Sequence, residues 1–200
     1  CLQESGAEFF LVVNGSPFES DKREVRLQHA VARVSESGLP LAYVNQVGGQ
    51  DELVFDGGSF VLNGDSSLAA QQPMFVEDIL LTEWRREGDG WNVVVTDRVA
   101  HPEGHEATYR AMVLGLRDYV NKNGFPGVVL GMSGGIDSAL TAAVAVDALG
   151  PDKVRCVMMP SPYTSGDSLE DAALAAGMLD VTLDEVGIGP AISAFNQMLG

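Results

Sequence analysis

One stretch, GMSGGIDSALTAA at residues 131–143, limits the possible folds more than any other. The apolar run GVVLGM (127–132) feeds straight into it, and two adjacent glycines break the run. The segment ALTAAVAVDALG (139–150) then has helical composition, and KVRCVMMP (153–160) reads as another buried strand. Strand, glycine turn, helix and strand at this spacing predict a βαβ unit on a parallel sheet, with a right-handed crossover. In open α/β sheets, ligands bind at the turns that leave the carboxyl ends of the strands. SGGIDS is such a turn.

Gly134 and Gly135 are expected to let the backbone take up conformations barred to other residues and approach a ligand closely. The N–H groups opening the next helix then face an anion along the favourable end of its dipole. Ser133 and Ser138 can add hydroxyl donors. Asp137 is the odd member, because a carboxylate beside bound phosphates repels them unless a divalent cation lies between, or unless it caps the helix. Magnesium, which prefers oxygen ligands and joins one carboxylate to phosphates, suits the first alternative. The turn has no lysine of the Walker type, and its glycines are not spaced as in dinucleotide folds.

Composition narrows the partners. A formal net charge of −16 argues against nucleic acid, whose phosphates are bound by neutralising lysines and arginines. It does not exclude a nucleotide held by backbone N–H groups. Two cysteines, Cys1 and Cys156, are too few for a disulfide framework or a cysteine metal cluster, and Cys156 lies in an apolar run that suits a reduced, buried thiol. No stretch reaches the roughly 18 apolar residues of a membrane span, so a cytoplasmic protein without membrane partners is expected. The chain opens at Cys1 rather than methionine and stops at Gly200 behind an apolar helical pattern, so an internal fragment of a longer protein is expected.

The first half has a different texture. FFLVVN (9–14) reads as a buried strand, and SDKREVRLQHAVARVSESG as a helix with Val25, Leu27, Val31 and Val34 inward, closed by Gly38 and Pro40. LAYVN (41–45) is a strand, and SFVLNGDSSLAAQ (59–71) a hairpin across Asn-Gly-Asp. A second hairpin turns at Gly88-Asp89-Gly90, with Trp84 and Trp91 packing across it. A helix after HPEGHEATYR (101–110) presents Tyr109, Met112, Val113, Leu116, Tyr119 and Val120 on one face and ends near Gly124. Further helices are expected over 167–179 and near 190–199, and a domain boundary between residues 97 and 105. His29, His101 and His105 read as surface histidines rather than metal ligands.

The Ser-Gly-Gly-x-Asp-Ser pattern at 133–138 matches the pyrophosphate loop of ATP pyrophosphatases. YRAMVLGLRDYVNKNGFPGVVLGMSGGIDSALTAAVAVDALG (109–150) and MMPSPYTSGDSLEDA (158–172) resemble the start of the synthetase domain of glutamine-dependent NAD+ synthetases. LVVNGSPFESDKREVRL and LPLAYVNQVGGQDELVFDGGSFVLN resemble the end of the same family's nitrilase-like glutaminase domain. The resemblance implies an α/β chain. Residues 1–100 would be the C-terminal part of a nitrilase-like αββα sandwich. Residues 101–200 would be the N-terminal part of a Rossmann-like, adenine nucleotide alpha hydrolase-like parallel-sheet domain.

The resemblance further implies a C–N ligase of NAD biosynthesis. Deamido-NAD+ is adenylated by ATP with Mg2+, and ammonia released from glutamine displaces AMP. ATP binding falls on Gly131, Met132, Ser133, Gly134, Gly135, Ile136, Asp137 and Ser138, and glutamine binding on Ser16 and Lys22, with Asp137 the magnesium candidate. From spacing alone Lys22 reads as a solvated charge in the first turn of a helix; the resemblance makes it a glutamine contact. The family's catalytic Glu, Lys and Cys are expected before residue 1, so no catalytic residue is assigned here, and glutamine hydrolysis is not expected of this segment alone. A homo-oligomer is expected. Rival readings are an amidotransferase of the asparagine or GMP synthetase type, and a nitrilase-type amide hydrolase fused to a nucleotide-binding domain. Cys1 followed by Leu2 and Gln3 departs from the Cys-Gly opening of the N-terminal-nucleophile amidotransferases.

Overall fold

The computed structural model describes residues 4–88 and 90–199. The chain is mixed α/β and divides into two compact units, Cys1–Gly115 and Leu116–Gly200. Cys1 and the Asp89 tip of the second hairpin lie outside the described residues.

In the first unit, β1 (Phe10–Asn14), α1 (Lys22–Ser37) and β2 (Leu41–Asn45) form a parallel crossover in which Phe10 pairs with Leu41 and Val12 with Tyr43. A two-stranded ribbon, β3 (Val47–Gln50) with β4 (Leu53–Asp56), follows. The hairpin β5 (Phe60–Leu62) and β6 (Leu68–Gln71) then extends the main sheet to the order β1-β2-β5-β6. A second hairpin, β7 (Trp84–Glu87) with β8 (Gly90–Val93), precedes α2 (Gly104–Lys122).

α1 lies on one sheet face because Leu27, Ala30, Val31 and Val34 share a stripe that meets Phe10, Val12, Leu41, Tyr43, Phe60 and Leu62. Tyr43 and Phe60 are cross-strand partners with stacked rings, centroids 5.0 Å apart. Gly38 ends the helix in the left-handed conformation, φ 69°, and its N–H closes on the Val34 carbonyl.

Three sequence expectations need correction here. Val25 is exposed, and Arg26 takes the inward position. β1 is the outermost strand of its sheet among the described residues, with Leu11 and Val13 66% and 85% exposed on the face that α1 does not cover. Trp84 and Trp91 take separate partners. Trp84 meets Phe9 with ring centroids 5.3 Å apart, while Trp91 lies beneath the Arg86 guanidinium and donates to Glu8.

The segment after β8 runs beside β6, where the Thr96 N–H reaches the Ala69 carbonyl and the Val99 N–H the Gln71 carbonyl, both at 3.0 Å. His101 extends this attachment, with Nε2 donating to the Gln72 carbonyl at 2.7 Å. It is therefore no surface histidine. Its Nδ1 is buried and has no partner among the described residues. On α2 the inward face is Ala107, Ala111 and Leu114, packed with Met74 and Phe75, whereas Met112 and Tyr119 are exposed. Of the side chains expected inward, Val120 is buried and Leu116 packs against the core of the second unit.

The second unit is a parallel three-stranded sheet in the order β11-β10-β9. β9 (Val128–Gly131) leads through the glycine turn into α3 (Ile136–Leu149), then a short helical turn at Pro151–Lys153, then β10 (Val154–Met158). α4 (Gly166–Met178), β11 (Thr182–Glu185) and α5 (Gly189–Leu199) complete it. The predicted βαβ unit is present, with Val154 paired to Val128 and Cys156 to Leu130. α3 starts three residues earlier than its alanine run suggested, and β11 escaped the sequence reading. The core is made of Met132, Ala142, Ala145, Val154, Cys156, Met158, Ala172 and Ala176. Cys156 is the buried free thiol expected, and burial pushes its pKa up, so it is chemically quiet.

His101 carries a pH prediction. Burial, more than any neighbouring charge, holds its pKa below the ordinary 6.5. The unfolded chain therefore binds the extra proton first, and stability rises with pH across that window. The stabilising contribution should be complete above about pH 6.5 and be lost as pH falls through the folded-state value. Thermal melts of the wild type and a His101→Gln variant between pH 5 and 8 check this: the acid-side decline should be shallower in the variant. Parallel declines would remove His101 from the account.

Candidate functional site

The glycine turn is built outward from the sheet. β9 delivers Met132, whose N–H is bonded to the Val157 carbonyl of β10 at 2.9 Å. Gly134 then takes φ 78°, and a Cβ at this position would stand 2.3 Å from the Ser168 carbonyl oxygen of α4. Backbone conformation and close approach each demand glycine there. Gly135 differs from the expectation: at φ −83°, ψ 156° it is ordinary extended backbone, and a Cβ would meet nothing nearer than Ser133 Oγ at 3.4 Å.

The two hydroxyls brace the turn from inside. Ser133 Oγ accepts from the Gly135 N–H at 3.3 Å, while Ser138 Oγ accepts from the Ser133 N–H at 3.2 Å and donates to the Gly135 carbonyl at 2.8 Å. The outward donors are the backbone N–H groups of Ile136, Asp137 and Ser138. They open α3 and meet no acceptor among the described residues.

Gly131, Met132, Ser133, Met158, Met159 and Pro160 line an open cleft of about 490 Å3 where β9 and β10 end, closed on its other side by Tyr163, Thr164, Ser165 and Ser168. Of the turn's residues, Gly131, Met132 and Ser133 reach the cleft, while Gly134 to Ser138 are not among its lining. The size suits a nucleotide-sized ligand. MMPSPYTSGDSLEDA, singled out by the sequence, supplies that second wall. It is shaped by Ser165, whose side chain caps α4 by accepting from the Ser168 N–H. Asp137 lies exposed in the first turn of α3, and no side chain caps that helix, so the capping alternative lacks a hydrogen bond. The Asp137 carboxylate is an oxygen ligand of the kind Mg2+ takes, and it would be the residue of the turn to hold that ion. Among the described residues no group of three or more His, Cys, Asp or Glu could hold a metal alone.

The other two candidates are in the first unit. Ser16 follows the carboxyl end of β1, and Lys22 is the first residue of α1. The Lys22 ammonium is paired with Glu19, an exposed i,i+3 contact that a ligand carboxylate can replace at little cost. Ser16 is half-buried and held by a network that sequence reading missed. Arg26 Nε donates to Ser16 Oγ at 3.0 Å, and Nη2 donates to the Ser16 and Pro17 carbonyls at 2.9 and 2.8 Å. Nη1 donates to both oxygens of Asp56 at 2.8 Å. Asn45 joins in, donating to Asp56 Oδ1 at 3.1 Å and accepting the Ser16 N–H at 2.9 Å. Arg26 and Asp56 are 8% and 1% exposed. The available signal was Arg26 standing four and eight residues before Ala30 and Val34, on the helix's buried stripe, where a charge needs a partner.

Residues 108–200 match the family model for NAD synthase. Over 94% of its length the chain is 54% identical to the glutamine-dependent NAD(+) synthetase of Rhodobacter capsulatus, of which it covers 34%. Among solved structures it resembles the glutamine-dependent NAD+ synthetase of Acinetobacter baumannii in complex with ADP, at 43% identity and TM-score 0.93, covering 99% of this chain and 37% of that one. A glutamine-dependent NAD(+) synthetase from Cytophaga hutchinsonii shares the fold at 18% identity, with TM-score 0.78 over 98% of this chain and 38% of that one. The chain thus corresponds to about a third of the proteins it resembles.

The turn geometry separates its two glycines experimentally. Gly134→Ala should destabilise the complete protein by at least about 1–3 kcal/mol from backbone strain alone. Gly135→Ala should cost less than about 1 kcal/mol. Urea denaturation measures both, and equal losses would contradict the geometry described.

Proposed function

We propose that this chain is the central part of a glutamine-dependent NAD+ synthetase. Residues 1–100 would close a nitrilase-like glutaminase domain, and residues 101–200 would open a Rossmann-like ATP-pyrophosphatase domain of the adenine nucleotide alpha hydrolase type. The observation that carries the reading is the set of three unpartnered N–H groups of Ile136, Asp137 and Ser138, aimed from a lysine-free turn at the carboxyl ends of parallel strands. The likeness to an ADP-bound synthetase supports ATP as the nucleotide.

In this reading Gly131 to Ser138 hold the β- and γ-phosphates of ATP through main-chain donors. The deamido-NAD+ carboxylate attacks the α-phosphorus and the α–β phosphoanhydride breaks, so pyrophosphate leaves on the turn. The acyl-adenylate carbon is now a good electrophile. Ammonia adds to it, AMP departs with the C–O bond electrons, and loss of a proton leaves the amide of NAD+. Splitting one hard substitution into two easier ones is the general advantage of covalent activation. Mg2+, when bound near Asp137, would supply positive charge against the phosphates. Ser16 and Lys22 would contact the glutamine from which ammonia comes, the lysine exchanging Glu19 for the α-carboxylate. A homo-oligomer in the cytoplasm is part of the same reading.

Product analysis tests the reading. The complete protein with ATP, Mg2+, ammonia and deamido-NAD+ should yield NAD+ and AMP together. ATP cleavage with aspartate but not deamido-NAD+ would favour an asparagine-synthetase type, and glutamine hydrolysis without AMP a nitrilase-type hydrolase. Asp137→Asn should lower ATP turnover about tenfold or more, equal to about 1.4 kcal/mol of barrier, and raise the Mg2+ needed for half-activity. An unchanged Mg2+ titration would remove its metal role. Lys22→Ala should raise the glutamine KM about 10- to 100-fold, as loss of a charge-assisted hydrogen bond predicts, with ammonia-driven synthesis retained. Equal loss of both activities would discredit the lysine assignment.

A further inference from the structure

We infer that Arg26, locked by Asp56 and Asn45, is a positioning residue that turns Ser16 into a one-way hydrogen-bond donor toward an oxygen of the glutamine substrate. The inference rests on the reading of Ser16 as a glutamine contact and goes beyond it by fixing the direction of that contact.

The argument is one of satisfied valences. An arginine carries five N–H donors in a rigid fork, and Arg26 makes five hydrogen bonds, to Ser16 Oγ, the Ser16 carbonyl, the Pro17 carbonyl and both Asp56 oxygens. Asp56 is fully buried, so the fork cannot rotate without stranding a carboxylate away from water. Asn45 is fixed in turn: its amide nitrogen reaches Asp56 Oδ1 and the Ser16 and Gly57 carbonyls at 3.1–3.2 Å, and its own N–H meets Ser59 Oγ at 3.0 Å. The N–H and carbonyl of Ser16 are thereby engaged, and its Oγ already accepts one bond. The N–H goes to Asn45 Oδ1, the carbonyl accepts from Arg26 and Asn45, and Oγ accepts from Arg26 Nε.

What remains is the hydroxyl proton, which has no acceptor among the described residues, and a second Oγ lone pair, which the adjacent guanidinium makes the poorer acceptor. A guanidinium N–H at 3.0 Å polarises that hydroxyl toward giving its proton. The same charge discourages a second cation at Oγ. Of the polar groups on glutamine, the α-carboxylate and the side-chain carboxamide oxygen suit such a donor, and the α-ammonium does not. Lys22, one turn before Arg26 on α1, offers a second cationic donor to the same class of oxygen.

The test uses the complete enzyme and three variants. Ser16→Ala should raise the glutamine KM about tenfold, with the loss confined to glutamine-driven synthesis. Arg26→Lys keeps the charge beside Asp56 but lacks the five-donor fork, and should raise the same KM by a similar factor. The double variant should be no worse than either single change, because Arg26 acts through Ser16. Additive losses, or an unchanged KM in Arg26→Lys when Ser16→Ala is impaired, would overturn the inference and leave the glutamine reading standing. No effect of Ser16→Ala would overturn both. If Arg26→Lys fails to fold, Arg26→Gln combined with Asp56→Asn removes both buried charges together and gives the same readout. Glutaramate, glutamine without its α-amino group, tests direction: a Ser16→Ala penalty that persists with it supports donation to oxygen, and one that vanishes refutes it.

Discussion

The first turn of an α-helix carries N–H groups that its own backbone cannot satisfy, and leaving them without an acceptor has a cost. In α3 that cost is not removed by a side-chain cap. Ser133 and Ser138 tie the turn to itself instead, so that Ile136, Asp137 and Ser138 still point their donors outward. The parallel strands β9 and β10 end at a cleft that the Met158–Ser168 segment walls. Main-chain dipoles of this kind attract anions whatever the net charge, so a formal −16 is compatible with the proposed phosphate site.

The second unit was the more readable half because its signals are local. Two glycines behind an apolar strand and before an alanine run allow few alternatives, and the βαβ unit followed from them. Gly38 likewise announced the end of α1. What escaped was short or depended on tertiary packing. β3, β4 and β11 have four residues each, too few for a period to emerge. Val25 and Arg26 are neighbours on one helix. Hydrophobicity alone turned the valine inward, but a carboxylate 30 residues away decided for the arginine. His101 could not be read as docked without knowing that the Gln72 carbonyl was there to receive it.

The candidate site shows the same division. The residues of the glycine turn were named from the pattern, yet their separate tasks were not. Gly134 is required by the Ser168 carbonyl, while Gly135 stands in unstrained extended backbone. Ser16 and Lys22 came only from family likeness. The buried Arg26–Asp56 pair behind Ser16 has no motif, because its members are scattered over α1, β2 and β4. Burying ions is expensive unless every donor is matched. Such an arrangement therefore favours a single geometry over a loose one.

The exposed side of β1 has a practical meaning. Leu11 and Val13 leave greasy patches on a strand whose outer main-chain groups have no neighbouring strand among the described residues. A bare strand margin of this sort templates unwanted pairing between molecules. Handled as an isolated piece, the polypeptide would tend to clump through that margin, and a charged residue in place of Val13 would be the simplest way to keep it dispersed.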